Sequence, residues 1–355
     1  MTGASVHVAY CRTGFEGECA QELRAAAGAS RLDIDISPAP GSAVVVANAE
    51  RWTARELQRA VLARPLVFAR SVFTGSGPHA LPARDRISPL LALMSAANAP
   101  FAAIWLEYPD TNEGKSVSGL CRRLEPLLLE AARNAHLYQP DDKRGLRFHV
   151  LFTATDQCYV GSSSPETGSP WPMGIARISM PHGAPSRSTL KLAEAFLTFL
   201  DADERERLLR PGLRAVDLGA APGGWTWQFA ERGIRVTAVD NAALKGSVAV
   251  DPLVEHVRDD GLFYRPRRRV DWMVCDIVEK PARIAALVAS WLADGACRRS
   301  IFNLKLPMKK RYDEVQRCAE FISETLETRG VRCSLRLKQL YHDREEVTGY
   351  CARID

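Results

Sequence analysis

Residues 213–227, LRAVDLGAAPGGWTW, restrict the fold of this chain more than any other stretch. An apolar run, Leu213 to Leu218, passes through Gly219, Ala220, Ala221, Pro222, Gly223 and Gly224 before a helix-like pattern of Trp227, Phe229 and Ala230. Strand, glycine turn and helix open a nucleotide-binding α/β sheet. A dinucleotide fingerprint would read G-x-G-x-x-G, but here the second glycine is Ala221. Pro222 has no N–H to give where a helix would present amides to a pyrophosphate. The turn therefore suits a cofactor without phosphates at that position, and S-adenosylmethionine, an adenosine with a charged amino-acid tail, fits. A glycine turn alone could be a plain tight connection. Asp240 argues for more: it ends the strand-like run Ile234 to Val239, about 20 residues after the first glycine, where ribose hydroxyls are held.

The chain has 355 residues, 46% of them hydrophobic, enough to bury at least two cores and to suggest two to three domains. A net charge of +5 is a mild basic bias that suits a polyanionic partner. The opening MTGASVHVAYCRTGFEGECAQEL has no basic-then-apolar leader, and no run of 18 apolar residues occurs. A soluble, cytoplasmic protein is expected. The nine cysteines form no C-x-x-C and no cluster with the seven histidines, so neither a zinc site nor a disulfide framework is indicated, and no metal is expected.

Residues 1–75 read as strand Val6–Tyr10, helix Phe15–Ala27, strand material at Ile34, Ile36 and Ala43–Val46, helix Trp52–Leu62 and strand Pro65–Phe73, ended by Gly75, Gly77 and Pro78. That β-α-β-β-α-β order is the ferredoxin-like plan. Residues 76–178 read as a second small α/β module. It has strand Phe101–Tyr108, a polar loop, helix Ser116–His136 with Val117, Leu120, Leu124, Leu127 and Leu128 apolar, and strands Arg147–Thr153 and Gln157–Ser162. Lys115, Arg122, Arg123, Arg133, Lys143, Arg144 and Arg147 gather there, as a solvated face or an RNA-backbone surface. Residues 165–185, rich in Pro, Gly and Ser, read as a connector. Ser186-Arg187-Ser188 then caps a helix, Thr189–Leu200, that leads into the last domain, 179–355. Its strands and helices alternate through Val254–Arg258, Val270–Cys275, Pro281–Ala293, Ser300–Leu306 and Tyr312–Arg329. Val331–Leu340 and Glu346–Arg353 close it as an antiparallel pair.

Four charged residues fall where such sheets build their sites. Asp276 follows WMVC, Lys305 lies in FNLKLPMK, Glu346 in HDREEVTGY, and Lys191 in the helix before the glycine turn. Each alone would pass for a surface salt bridge. Together with the DLGAAPGGW turn, the order Lys, Asp, Lys, Glu resembles the K-D-K-E tetrad of the ribose 2′-O-methyltransferases, in segments SRSTLKLAEAF, WMVCDIVEKP, FNLKLPMKK and REEVTGY. CRTGFEGECAQEL and the layout of the chain further resemble the bacterial 23S ribosomal RNA cytidine 2′-O-methyltransferases, which carry a ferredoxin-like module and a THUMP RNA-binding domain.

The resemblance implies an α/β fold: a Rossmann-like S-adenosylmethionine-dependent methyltransferase domain, mostly parallel with an antiparallel last strand, behind ferredoxin-like and THUMP modules. It implies Lys191, Asp276, Lys305 and Glu346 as catalytic residues, Lys305 being the base or the group that orients the hydroxyl while its proton leaves late. Ser188, Ala221, Pro222, Gly223, Gly224, Asp240, Asp260 and Asp276 are implied as cofactor contacts. Glu345 competes with Glu346 for the fourth place. The implied partner is 23S rRNA before full assembly into its subunit, met by a monomer without a membrane or an obligate protein partner. A lysine accepts the hydroxyl proton only if its pKa falls well below about 10.4; Lys191 would depress it, while Asp276 and Glu346 would raise it. Two other functions compete. Base methylation is disfavoured because Asp276-Ile277-Val278-Glu279 stands where amine-directed enzymes carry N/D-P-P-Y/F, and Cys275 lies before the strand end. A non-catalytic RNA-binding protein would not need the intact tetrad.

Overall fold

The structure, a computed structural model, describes residues 5–29, 31, 34–36, 38–49, 53–97, 100–142 and 144–354. It forms two compact units, 1–176 and 177–355, each built on a seven-stranded sheet. The first begins with β1 (Ser5–Tyr10), α1 (Glu16–Ala29), β2 (Asp35–Ile36), β3 (Val44–Ala49), α2 (Ala54–Ala63) and β4 (Ser71–Ala80). Their order β2-β3-β1-β4, antiparallel throughout, is ferredoxin-like. Thr53 starts α2 through a capping box with Glu56, and Trp52, the expected first residue of that helix, lies outside the described residues.

Two expectations for this region fail, for readable reasons. Residues 65–70 are no strand, because Val67, Phe68 and Ala69 donate their N–H groups to the buried Glu22 carboxylate at 2.7, 3.0 and 2.5 Å instead of to a ladder. Nor do the glycines end β4. It runs through the expected boundary at 75/76 and pairs on its far side with β7 (Gln157–Ser163), Gly75 lying opposite Gly161. A Cβ on Gly75 would sit 2.5 Å from the Gly161 Cα, so these glycines mark a close strand approach, not a stop.

The sheet continues from β7 to β6 (Leu146–Ala154) and β5 (Phe101–Glu107), with β6 and β7 forming the expected hairpin. Between β4 and β6 lie α3 (Ile87–Ser95), α4 (Asn112–Ser116) and α5 (Ser118–Asn134). Sequence reasoning missed α3, an apolar run without helical periodicity. It read α4 as loop, although Thr111 caps that turn by accepting the Gly114 N–H at 2.8 Å. On α5 the buried positions are Cys121, Leu128 and Ala132, whereas Leu127 is 53% exposed. Inside the sheet, Ser163 Oγ, His149 and Glu107 join at 2.8 and 2.8 Å, and Glu107 also accepts the Tyr10 hydroxyl at 2.5 Å. All four residues are buried, so this chain ties strands together and meets no substrate.

The second unit runs α6 (Thr189–Phe199), α7 (Ala202–Leu208), β8 (Arg214–Leu218), α8 (Gly224–Ala230), β9 (Arg235–Val239), β10 (Val254–Val257), β11 (Val270–Cys275), α9 (Pro281–Ala293), β12 (Cys297–Lys305), α10 (Arg311–Thr328), β13 (Cys333–Lys338) and β14 (Glu346–Arg353). The sheet order is β10-β9-β8-β11-β12-β14-β13. The first five strands are parallel, and β14 is antiparallel to both neighbours. Phe196, Phe229 and Trp272 pack ring to ring at 5.5–6.0 Å and join α6 and α8 to the sheet. Chain order reverses between β8 and β11. The crevice at the carboxyl ends of those two strands is where open α/β sheets bind ligands.

Candidate active site

The glycine turn fills that crevice. Pro222 lies two residues ahead of α8, not in its first turn, and Gly223 takes the capping place in the left-handed region at φ 111°. Gly224 presses against the residues before α6: a Cβ there would stand 2.6 Å from Ser186 Oγ and 2.9 Å from the Thr189 nitrogen. Ser188 occupies the helix-capping position but caps nothing with its side chain, contrary to expectation. Its hydroxyl meets Ser186 Oγ at 2.7 Å, and its carbonyl accepts the Trp225 indole N–H at 3.1 Å. Asp240 accepts the Ala221 and Ala242 N–H groups at 2.9 and 2.8 Å, so it holds the turn as well as facing the crevice. Asp260 is exposed three residues beyond the end of β10, and its neighbour Gly261 abuts Gly219 and Leu218. Asp276 donates its N–H to Leu218 O at 3.2 Å. Three carboxylates thus surround a turn closed by close backbone contacts. That set suits hydroxyls and a cationic tail and would repel a pyrophosphate.

Beside the turn the four tetrad candidates form a closed ring of alternating charge. Lys305 Nζ bonds both Asp276 Oδ1 and Glu346 Oε2. Lys191 bonds Glu346 Oε1 and stands 3.6 Å from Asp276 Oδ2. The Lys191, Lys305 and Asp276 side chains keep 18%, 22% and 17% of their surface in solvent and Glu346 only 6%, so the ring is closed at Glu346 and open on the other three members. Burial lowers the Lys305 pKa, but the charges and hydrogen bonds of Asp276 and Glu346 outweigh it, and the net direction is upward. Glu345 points away: its side chain is 63% exposed and pairs with Arg311 at 2.7 Å.

A second tier was not foreseen. Asn303 Nδ2 donates to Asp276 Oδ1 at 2.9 Å, and Thr348 Oγ1 lies 2.8 Å from Asn303 Oδ1 and 2.9 Å from the buried Asp343. Glu194, one turn after Lys191 on α6, accepts the Tyr341 and His342 N–H groups at 2.8 and 2.9 Å and so fastens the loop before β14. The available signal was alternation: Asn303 stands two positions before Lys305, Thr348 two after Glu346, and both are polar residues in apolar strands.

The basic residues of the first unit divide. Lys115, Arg122, Arg123, Arg133 and Arg144 are exposed, and Lys143 lies outside the described residues. Arg147 is half-buried, reaching toward the Ser164 and Gly168 carbonyls with its guanidinium over Trp105, which makes it a structural residue. All nine cysteines are free, and among the described residues no cluster of metal-ligating side chains forms. No helix among them is long and apolar enough to cross a membrane.

Three family models match the chain in series. These are the RlmM ferredoxin-like domain over residues 4–73, the N-terminal region of ribosomal RNA large subunit methyltransferase M over 85–164, and the FtsJ-like methyltransferase over 184–333. Among curated proteins, the ribosomal RNA large subunit methyltransferase M of Methylococcus capsulatus is 48% identical over 357 residues, covering 99% of this chain and 99% of that protein. Its counterpart in Azoarcus sp. is 48% identical over 347 residues, covering 97% and 94%. The one in Pseudomonas aeruginosa is 44% identical, covering 98% of each.

Proposed function

The chain belongs to the ribosomal RNA large subunit methyltransferase M family, and on that premise we propose that it transfers a methyl group from S-adenosylmethionine to a ribose 2′-hydroxyl, that of a cytidine in 23S rRNA. The observation that carries this reading is the ring of Lys191, Glu346, Lys305 and Asp276 beside the phosphate-free glycine turn.

S-adenosylmethionine, when bound, supplies a methyl group on a sulfonium that leaves as a neutral thioether. Asp240 and Asp260 would hold the adenosine, and Asp276, Ser188 and the 221–224 backbone would hold the rest of it. Lys305 would grip the acceptor hydroxyl. Since both carboxylates keep it an ammonium, it would orient the oxygen by donating to it, and the hydroxyl proton would pass to solvent water as the oxygen takes up the methyl group. Lys191 balances the second negative charge, so Glu346 and Asp276 stay in place when Lys305 turns to the substrate. Residues 76–178 we read as a THUMP-like RNA-binding module whose exposed Lys115, Arg122, Arg123, Arg133 and Arg144 meet phosphates. The substrate is rRNA still open enough to expose the ribose, met in the cytoplasm by a monomer.

Base methylation at carbon is disfavoured because burial pushes the Cys275 thiol up to about 12, far from a nucleophilic thiolate. The deciding experiment incubates the full chain with tritiated S-adenosylmethionine and unmodified total rRNA, then maps the label. Label at one 23S cytidine, in an alkali-resistant dinucleotide, is expected. Label on a base would overturn the proposal.

A further inference from the structure

Asn303, Thr348 and Asp343 are each at most 1% exposed, so their hydrogen bonds must balance among themselves without water. Asp276, gripped by the Lys305 ammonium, offers only acceptors, so the Asn303 amide must turn Nδ2 toward it, at 2.9 Å. Asn303 Oδ1 is then left facing Thr348 Oγ1 at 2.8 Å, and only the threonine can donate there. A hydroxyl has one hydrogen. Once that hydrogen is given to Asn303, the 3.1 Å and 2.9 Å approaches of Asp343 Oδ1 and Oδ2 to the same oxygen can be bonded only if Asp343 is the donor. Oδ2 already accepts the Leu340 N–H at 2.9 Å, which leaves the proton on Oδ1.

We propose that Asp343 and Thr348 are positioning residues: Asp343 carries a proton and donates it to Thr348, Thr348 donates to Asn303, and this one-way chain holds the Asn303 amide with its Nδ2 on Asp276. The inference rests on the ribose-methylation reading, because Asp276 is the carboxylate that grips Lys305. Two further observations agree with it. Burial, and next the charge of Glu346, push the Asp343 carboxyl well above its ordinary range, with Glu194 adding to the same direction. Asn303 and Thr348 are register partners between β12 and β14, two pairs along from Lys305 and Glu346 and so on the same face, and the chain is built on the strands that carry the catalytic pair.

The test uses full-length Asp343→Asn, Thr348→Val and Thr348→Ser. An asparagine reproduces the neutral acid, its amide donating to Thr348 and its oxygen accepting from Leu340. Asp343→Asn is therefore expected to keep kcat within about twofold. Thr348→Val is expected to lower kcat tenfold or more, with KM for RNA and affinity for S-adenosylmethionine within twofold, and Thr348→Ser to restore it. A loss of kcat in Asp343→Asn as large as in Thr348→Val would mean that Asp343 works as an anion, and would overturn the proposal. So would wild-type kcat in Thr348→Val. A second measurement does not depend on activity. The carboxyl carbon of Asp343, labelled with carbon-13, should show the shift of a neutral acid from pH 5 to 8, and a carboxylate shift in that range overturns the proposal. Loss of ribose methylation in wild type would instead sink the functional reading and leave the carbon-13 result to decide this one.

Discussion

Lys305 and Glu346 are register partners across the antiparallel ladder between β12 and β14, so their ion pair is set by strand registry and not by side-chain reach. A one-residue slip would send each to the opposite face of the sheet and dissolve the ring. The lysine therefore arrives at the crevice already paired, and its removal should leave the strands intact.

Lys305→Ala should lower kcat by about 10²–10⁴ while affinity for S-adenosylmethionine stays within twofold. Lys305→Arg should not rescue it, because a planar guanidinium cannot replace a compact ammonium between two carboxylates. The pH profile carries the mechanism. With its pKa raised, Lys305 stays an ammonium throughout the neutral range, so the rate should be flat with respect to this group. It should fall only in strong alkali, when the charge is lost. A rate that climbs through pH 7–9 with a Lys305-dependent inflection would reverse the assignment to a free-base role.

Asp240→Ala should weaken S-adenosylmethionine binding by more than the removal of one hydrogen bond would. The carboxylate also holds the Ala221 and Ala242 N–H groups, so its loss loosens the turn itself. Charge-assisted bonds to a carboxylate are worth about 1.5–3 kcal/mol each. Calorimetry showing unchanged affinity would remove Asp240 from the cofactor site.

Asp217 is fully buried one residue before the end of β8, with Oδ2 accepting the Thr226 hydroxyl at 2.7 Å and Oδ1 without a partner. Burial is the main cause that pushes its carboxyl up to about 7. The unfolded value is about 3.9, so between these limits the native state binds a proton that the unfolded chain does not. Stability from this group is therefore fully present below about pH 4 and lost as pH rises toward 7, by roughly 4 kcal/mol in total. Asp217→Asn should remove that slope. Its melting temperature should gain on wild type from pH 4 to 7 and level off above that, and a constant gap between pH 4 and 7 would refute the account.

Arg122→Ala with Arg123→Ala should weaken RNA binding at every sequence alike. The slope of log affinity against log salt should fall by roughly one for each phosphate that is no longer neutralised. Both side chains are exposed on α5, so folding should be unaffected. An unchanged slope would move the RNA-binding surface elsewhere on the molecule.

Local chemistry alone determined much of this protein. The glycine turn announced its own strand and helix, and the alternation of the catalytic half was legible because strands and helices differ in apolar period, 2 against 3.6. The boundaries of α9 and β14 were readable to the residue, since a proline opens the first and a charged loop precedes the second. Tertiary structure decided what depends on partners far along the chain. Glu22 drew the N–H groups of residues 67–69 away from any strand, and Gly75 met Gly161 where a stop had been expected. Glu345 and Glu346 are neighbours with the same side chain, and only the pairing of β14 with β12 turned one toward the lysines and the other toward Arg311. The balance on Lys305 was likewise beyond any sequence. Charge interactions fall with distance and burial, and those are fixed only when residues 191, 276, 305 and 346 meet.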